Sequence, residues 1–256
     1  MKRRPLLIVL SILFAAIFAF SGINLLKVVK EYSEADAVYE QVQNEYVVTT
    51  PPVVPPTVEE EPIPLIESAG IDVDFNKLIT TNKDVIGWLY CADTPINYPV
   101  VQGRDNSQYL HAGLNGAYLR GGTIFADYRN RPLGEDRLFI LYGHSMKNKT
   151  MFGSLLGYKK QEYYDAHPVL YYLTPEAEYR VELFSGCVMK IQDILYQPNP
   201  GSKELAQYFE QMKKKSTFTS DVSVSVGDPV IVLSTCSYEF DNARYVVIGK
   251  LVKLDA

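Results

Sequence analysis

Val230–Val247 reads V-I-V-L-S-T-C-S-Y-E-F-D-N-A-R-Y-V-V, and the arrangement of its two apolar runs decides the fold. Val230–Leu233 is β-branched and apolar, the composition of a buried central strand. The run ends at Ser234, Thr235 and Cys236, so the thiol lies where a strand gives way to a loop. Eight residues after the cysteine, Arg244 opens a second apolar run, Tyr245–Leu251. Paired as neighbours around the Ser237–Ala243 loop, these strands bring Cys236 and Arg244 together at one end of a sheet. A thiolate nucleophile needs a nearby cation, and an acyl intermediate needs a donor for its developing oxyanion. Arginine serves both needs, because it stays charged and carries several N–H groups. The thiol also needs a base. Of three histidines, His144 in L-F-I-L-Y-G-H-S again ends an apolar run. Nucleophile and base are therefore expected at strand ends, on a rigid scaffold.

This combination resembles the sortases, cysteine transpeptidases that anchor proteins to the Gram-positive cell wall. Their pattern is Thr-Leu-x-Thr-Cys on one strand, arginine on the next and a histidine upstream. Leu233, Thr235, Cys236, Arg244 and His144 match; Val232 stands where the family usually has threonine. The C-x-Y-x-F continuation (Cys236, Tyr238, Phe240) and the F-x-x-L…N-x-D-V-x-G-W-L run from Phe75 to Leu89 are similar to class B members. The resemblance covers residues 75–251. It implies a mainly β fold, a closed eight-stranded sortase-type β-barrel with an N-terminal helix and a helix inserted before the cysteine strand. The inserted helix is Ser202–Lys215, with Leu205, Phe209 and Met212 at i, i+4 and i+7 and Ser202 as its cap. Its implied role is to wall the substrate groove.

The same resemblance implies a mechanism. Cys236 attacks the carbonyl of a threonine in a sorting motif near a surface protein's C-terminus, and Arg244 stabilises the oxyanion. His144 protonates the leaving amine, giving a thioacyl-enzyme. An amine from a peptidoglycan precursor or cross-bridge, deprotonated by His144, then accepts the protein. Asn97 and Ser234 are implied as substrate-binding residues. No metal or organic cofactor is required by these steps, and the chain has no H-E-x-x-H, paired-cysteine or G-x-G-x-x-G pattern.

Blander readings compete at each position. A lone cysteine is more often a core residue than a nucleophile; the strand-end setting and Arg244 set Cys236 apart. Cys91 and Cys187 read as buried small residues, with a bridge between them left open. His167 precedes Pro168 at a helix end, where a cation would favour the dipole. His111, in Y-L-H-A-G, reads as structural, Asp241 as a solvated loop carboxylate and Trp88 as core. Envelope peptidases whose cysteine precedes the histidine run in the reverse order, and L,D-transpeptidases carry cysteine in an S-H-G-C type motif. A non-enzymatic membrane-anchored surface module is the alternative of a different class.

Outside the catalytic region, Lys2, Arg3 and Arg4 (residues 1–5 forming a basic tail) precede 21 largely apolar residues, Leu6–Leu26. That length spans a bilayer and predicts a single-pass anchor, cytoplasmic N-terminus and extracellular domain. A cleaved signal peptide is the alternative, with small residues near Ala19 and Ser21. Residues 27–72 read as an acidic, proline-rich linker, because no Lys or Arg occurs from Glu31 to Asn76 and six prolines fall between Pro51 and Pro64. The catalytic domain is expected over 73–256. A net charge of −5 excludes a nucleic-acid footprint.

Overall fold

Both apolar runs are strands of one closed barrel. In this computed structural model, residues 3–50 and 68–254 are described. The order is α1 (Arg3–Tyr46), β1 (Val47–Thr49), β2 (Ile71–Val73), α2 (Phe75–Thr81), β3 (Val85–Tyr90), β4 (Asn97–Val101), β5 (Ile124–Ala126) and β6 (Leu138–Tyr142). A 3₁₀ segment, Phe152–Lys159, precedes α3 (Gln161–Ala166), β7 (Val169–Leu173), β8 (Glu178–Lys190), α4 (Ser202–Lys215), β9 (Val230–Cys236) and β10 (Ala243–Lys253). The barrel closes in the order β10-β8-β7-β3-β4-β5-β6-β9, with β4–β5 and β6–β9 parallel and the remaining pairs antiparallel. The fold is the one expected.

β9 shows why its run is apolar at every position. Ile231 and Leu233 join the barrel interior with Leu141, Leu183 and Val247. Val230 and Val232 face the other way, into a second cluster with Ile140, Val246 and the buried face of α4. A strand buried on both faces has no polar alternation to show. On α4, Leu205, Tyr208, Phe209 and Met212 supply that cover. The helix begins one residue after its cap, Gly201, so Ser202 is not the cap; its hydroxyl accepts instead from Arg137 Nη1 at 2.8 Å. Pro99 also finds its reason. β4 pairs with β5 only at Val100 and Val101, beyond the residue that lacks an N–H.

Two boundaries differ from expectation. The apolar and aromatic run Phe152–Asp165, which reads as one helix, splits, because Lys160 is extended (φ −120°, ψ 136°) between the 3₁₀ segment and α3. More consequentially, 27–46 is not linker. α1 runs unbroken to Tyr46, and Ala35, Tyr39, Val42 and Tyr46 are buried against the barrel. Their 4-3-4 spacing puts them on one helix face. β1 then pairs with β2, Val47 against Val73, and Thr50 N–H donates to the Gly70 carbonyl at 3.0 Å. The two ends of the proline-rich stretch are thus tied together; the stretch itself, 51–67, lies outside the described residues. α1 is the one described helix long and apolar enough to cross a membrane, with a mean hydropathy of 2.3 in its most apolar window.

Cys91, Cys187 and Cys236 are all free thiols. Burial pushes the Cys91 and Cys187 thiols up, as suits inert core residues. Trp88 is fully buried, as expected of a core residue.

Close packing at β3 generates a stability test. The β3–β4 register shifts between Val85 and Gly87, and a Cβ at Gly87 would collide with the Tyr172 hydroxyl and lie 2.8 Å from the Leu173 carbonyl oxygen. Gly87→Ala is expected to destabilise the fold by about 1–3 kcal/mol through overpacking. Gly227→Ala, where a Cβ meets only the Ser225 hydroxyl at 4.0 Å, should change stability by less than about 0.5 kcal/mol. Urea denaturation of both variants checks the contrast.

Candidate active site

β9 carries Cys236 between two neighbours, and register decides what stands beside the thiol. On one side β10 is antiparallel, with Arg244 directly across from Cys236. Cross-strand partners project to the same face, so guanidinium and thiol share one side of the sheet. On the other side β6 is parallel, with Tyr142 level with Ser234. Continuing that register two residues brings His144 level with Cys236. Two bonds extend the pairing past β6: Gly143 N–H donates to the Ser234 carbonyl at 3.3 Å, and the Thr235 hydroxyl donates to the Gly143 carbonyl at 2.8 Å. Gly143 must be glycine here, since a Cβ would run into Phe152 at 2.7 Å. His144, Cys236 and Arg244 line one cavity of about 350 Å³.

Hydrogen bonding fixes which nitrogen of His144 is free. Nε2 lies 2.7 Å from the Leu110 carbonyl, which only accepts, so Nε2 carries the proton. The unprotonated nitrogen of the neutral ring is then Nδ1. Burial lowers the imidazole's affinity for a second proton, and the nearby His111 and Arg120 lower it further, against a smaller opposing effect of the Leu110 bond. His111 stacks on His144 with centroids 5.1 Å apart and planes at 22°. Arg244 has one nitrogen on the Ala243 carbonyl, at 3.0 Å, leaving its other donors for a ligand.

The cavity floor is organised by a residue the sequence reading did not single out. Asp127, just past β5, is completely buried. It holds Arg129 by Nε at 2.8 Å and Nη2 at 2.7 Å, accepts the Tyr142 hydroxyl at 2.8 Å and accepts Asn106 Nδ2 at 3.0 Å. Burial opposes the charge, but the bonds from Arg129, Tyr142 and Asn106 outweigh it and hold the carboxyl down at about 2. Arg129, Tyr142 and Asn106 all line the cavity, so one buried carboxylate positions three of its walls. Arg129 Nη2 also reaches the Tyr196 carbonyl at 2.6 Å.

The remaining expected residues divide. Ser234 is at the site, its hydroxyl 2.5 Å from that of Tyr196. Asn97 is not: it opens β4 with its Oδ1 accepting from Trp88 Nε1 at 2.7 Å, away from the thiol cavity. Its amide orients the buried indole. α4 does not wall the groove either; Ile191 and Tyr196, in the connection between β8 and α4, do. Asp241 is exposed, and His167 ends α3 with its ring against Tyr163. His111 belongs beside the candidate base, through a contact between two loops that leaves no periodic trace in sequence.

Comparison with known proteins agrees with this geometry. The family model described as the Sortase domain matches residues 89–252. Sortase B of Listeria monocytogenes is 39% identical over 183 residues, 70% of this chain and 73% of that one. A crystal structure of sortase B from Bacillus anthracis superposes with a TM-score of 0.73 at 34% identity, covering 88% of this chain and 100% of the other. A Staphylococcus aureus sortase B–substrate complex gives 0.67 at 34% identity, covering 71% and 85%.

The environment of His144 has a signed consequence. Its lowered affinity places its titration below the ordinary 6.5, so the ring is neutral at pH 7. The folded chain binds that proton less tightly than the unfolded chain, so His144 contributes stability present above about 6.5 and lost as pH falls through its folded value. NMR titration of the imidazoles should find His144 below 6.5. His111→Gln, which removes the imidazole stacked on it, should move His144 upward.

Proposed function

The chain belongs to the sortase family, class B, and from that premise we propose that it cleaves a C-terminal sorting motif after threonine and transfers the protein to a peptidoglycan amine. The observation that carries the reading is the double register of β9, which sets Arg244 opposite Cys236 and His144 level with it. His144 Nδ1 takes the thiol proton as Cys236 Sγ attacks the threonine carbonyl carbon, and the oxyanion that forms is met by the free N–H groups of Arg244. His144 gives its proton to the departing amine as the C–N bond breaks, leaving a thioester on Cys236. The incoming amine loses a proton to His144 Nδ1, attacks the thioester carbonyl and expels the thiolate. The thioester keeps the acyl group at high free energy, so transfer needs no nucleotide.

The cavity's other walls fit peptide recognition. Ser234 and Tyr196 present paired hydroxyls at one side, and Arg129 and Asn106 present N–H donors at another. Peptide carbonyls lying in such a groove would accept from these groups. Placement also follows from the sequence: with residues 6–26 in the membrane, the Lys2–Arg4 flank supports a cytoplasmic N-terminus and an extracellular barrel. Cargo proteins and the wall amine would both be met on that side.

The test is turnover of a fluorogenic sorting-peptide library by the full chain. Cys236→Ala and His144→Ala should abolish cleavage, whereas Cys91→Ala and Cys187→Ala should retain it. Arg244→Lys separates charge from geometry, because lysine keeps the charge but loses the planar fork. Losing a directed oxyanion donor costs on the order of 10²–10³ in kcat, and Arg244→Lys is expected to lose at least the lower figure. Alkylation of Cys236 in that variant should slow far less than turnover. Near wild-type peptide cleavage by the lysine variant would leave charge alone as the role of Arg244.

A further inference from the structure

His144 is held from two sides, and α1 grips both. On one side stands the segment 109–123. Its Leu110 carbonyl fixes His144 Nε2 at 2.7 Å, and its His111 ring stacks on the imidazole. Gly122, with φ at +56°, tucks beneath that carbonyl; a Cβ there would collide with the backbone oxygens of Tyr109 and Leu110. Across the same segment, Thr123 N–H donates to the Tyr109 carbonyl at 3.1 Å and His111 Nδ1 lies 3.4 Å from the Arg120 carbonyl. On the other side is the loop after His144. Phe152 N–H donates to the His144 carbonyl at 3.0 Å, and Ser145 bridges to Met151.

α1 reaches each of these. The buried Tyr39 hydroxyl donates to the Gly122 carbonyl and lies 3.3 Å from Thr123 Oγ1. Glu31 pairs with Arg120, whose guanidinium also covers the Tyr32 ring at 5.6 Å. The Asp36 carboxylate accepts from Asn148 Nδ2 at 3.0 and 3.1 Å, in the loop after His144. The Tyr39 ring meets Tyr98 edge-on at 5.1 Å, and the Tyr98 hydroxyl accepts from Met151 N–H at 3.0 Å.

We propose that residues 31–39 of α1 are a positioning element for His144, with Tyr39 acting through Gly122 and Leu110, and Asp36 acting through Asn148. This rests on His144 being the base. Neither residue meets substrate; both hold the backbone that aims the imidazole. Because the same helix carries the apolar span, the membrane segment and the alignment of the base are parts of one rigid rod. A chain cut between residues 46 and 70 would keep the barrel strands but lose this brace.

The test compares Tyr39→Phe and Asp36→Ala, singly and together, with Glu45→Gln, which breaks the 3.0 Å Lys77 bridge elsewhere on α1. The full-length chain in lipid nanodiscs is used throughout. The double variant is expected to lose on the order of ten- to a hundredfold in kcat, the cost of misplacing a catalytic group by about 1 Å, with KM changed less than about twofold. Its His144 titration should move toward 6.5 as the ring loosens into solvent, while the far-ultraviolet circular dichroism spectrum stays unchanged. Glu45→Gln should match the parent in every respect. Parent-like kcat and an unmoved His144 titration in the double variant, with His144→Ala inactive, would overturn the brace and leave the base assignment standing. Turnover retained by His144→Ala would overturn the base assignment, and the brace with it.

Discussion

The site exists because β9 is paired on both sides with fixed register, parallel to β6 and antiparallel to β10. A one-residue slip on either side would move every side chain of that strand to the opposite face. Such a slip would turn Ser234 and Cys236 toward the barrel interior and Ile231 and Leu233 out of it, into the second cluster that now fits Val230 and Val232. The packing cost of misregistration therefore protects the alignment of Cys236 with Arg244 and His144. Three residues from distant parts of the chain are set in place by backbone pairing, before any side-chain contact among them is considered. The hairpin is tied down further at its far end. Lys159 reaches Ser237 Oγ at 3.0 Å, pairs with Glu239 and covers the Tyr245 ring at 5.4 Å.

A second constraint is electrostatic. A carboxylate with no exposed surface is costly unless its oxygens are filled, and Asp127 meets that condition with Arg129, Tyr142 and Asn106. The arrangement couples β5, β6 and the segment after β4 through one residue. It leaves the cavity with a cation whose orientation is set from beneath, next to Tyr196. A second cation lining the cavity, Arg244, bonds its neighbour's carbonyl. His144, on the same cavity, is disfavoured from taking a second proton chiefly by burial, with His111 and Arg120 adding to it.

Much of this was legible in sequence, for identifiable reasons. Long β-branched runs at β9 and β10 declare buried strands, and the position of Cys236 and Arg244 at their ends needs only the hairpin to close. α4 announced itself through apolar residues spaced four and seven apart. The docking of α1 did not, because its contact face is built from Ala35, Tyr39, Val42 and Tyr46 among recurring acids. Tyrosine is amphipathic, so its burial depends on a partner surface that periodicity cannot reveal. Asp127 looked like any turn carboxylate, since its importance lies in Tyr142 and Asn106, donors from two other segments, as well as in Arg129 two residues on. Asn97 was assigned to substrate mostly by resemblance, and its Oδ1 accepts from Trp88 Nε1 instead.

The length of α1 gives the barrel a defined place relative to its anchor. From Leu26, the last residue of the apolar stretch, to Ala35, the first buried against the barrel, is nine residues of helix, about 14 Å of rise. A flexible tether of the forty-odd residues read as linker would let the domain wander over several times that distance. A continuous helix with a docked face does not. With the apolar stretch in a bilayer, the stand-off and the rotation of the barrel about the helix axis are both set by which face of α1 carries Tyr39 and Asp36. Those are the side chains that fasten the backbone around His144, so reach and alignment come from one stretch of helix.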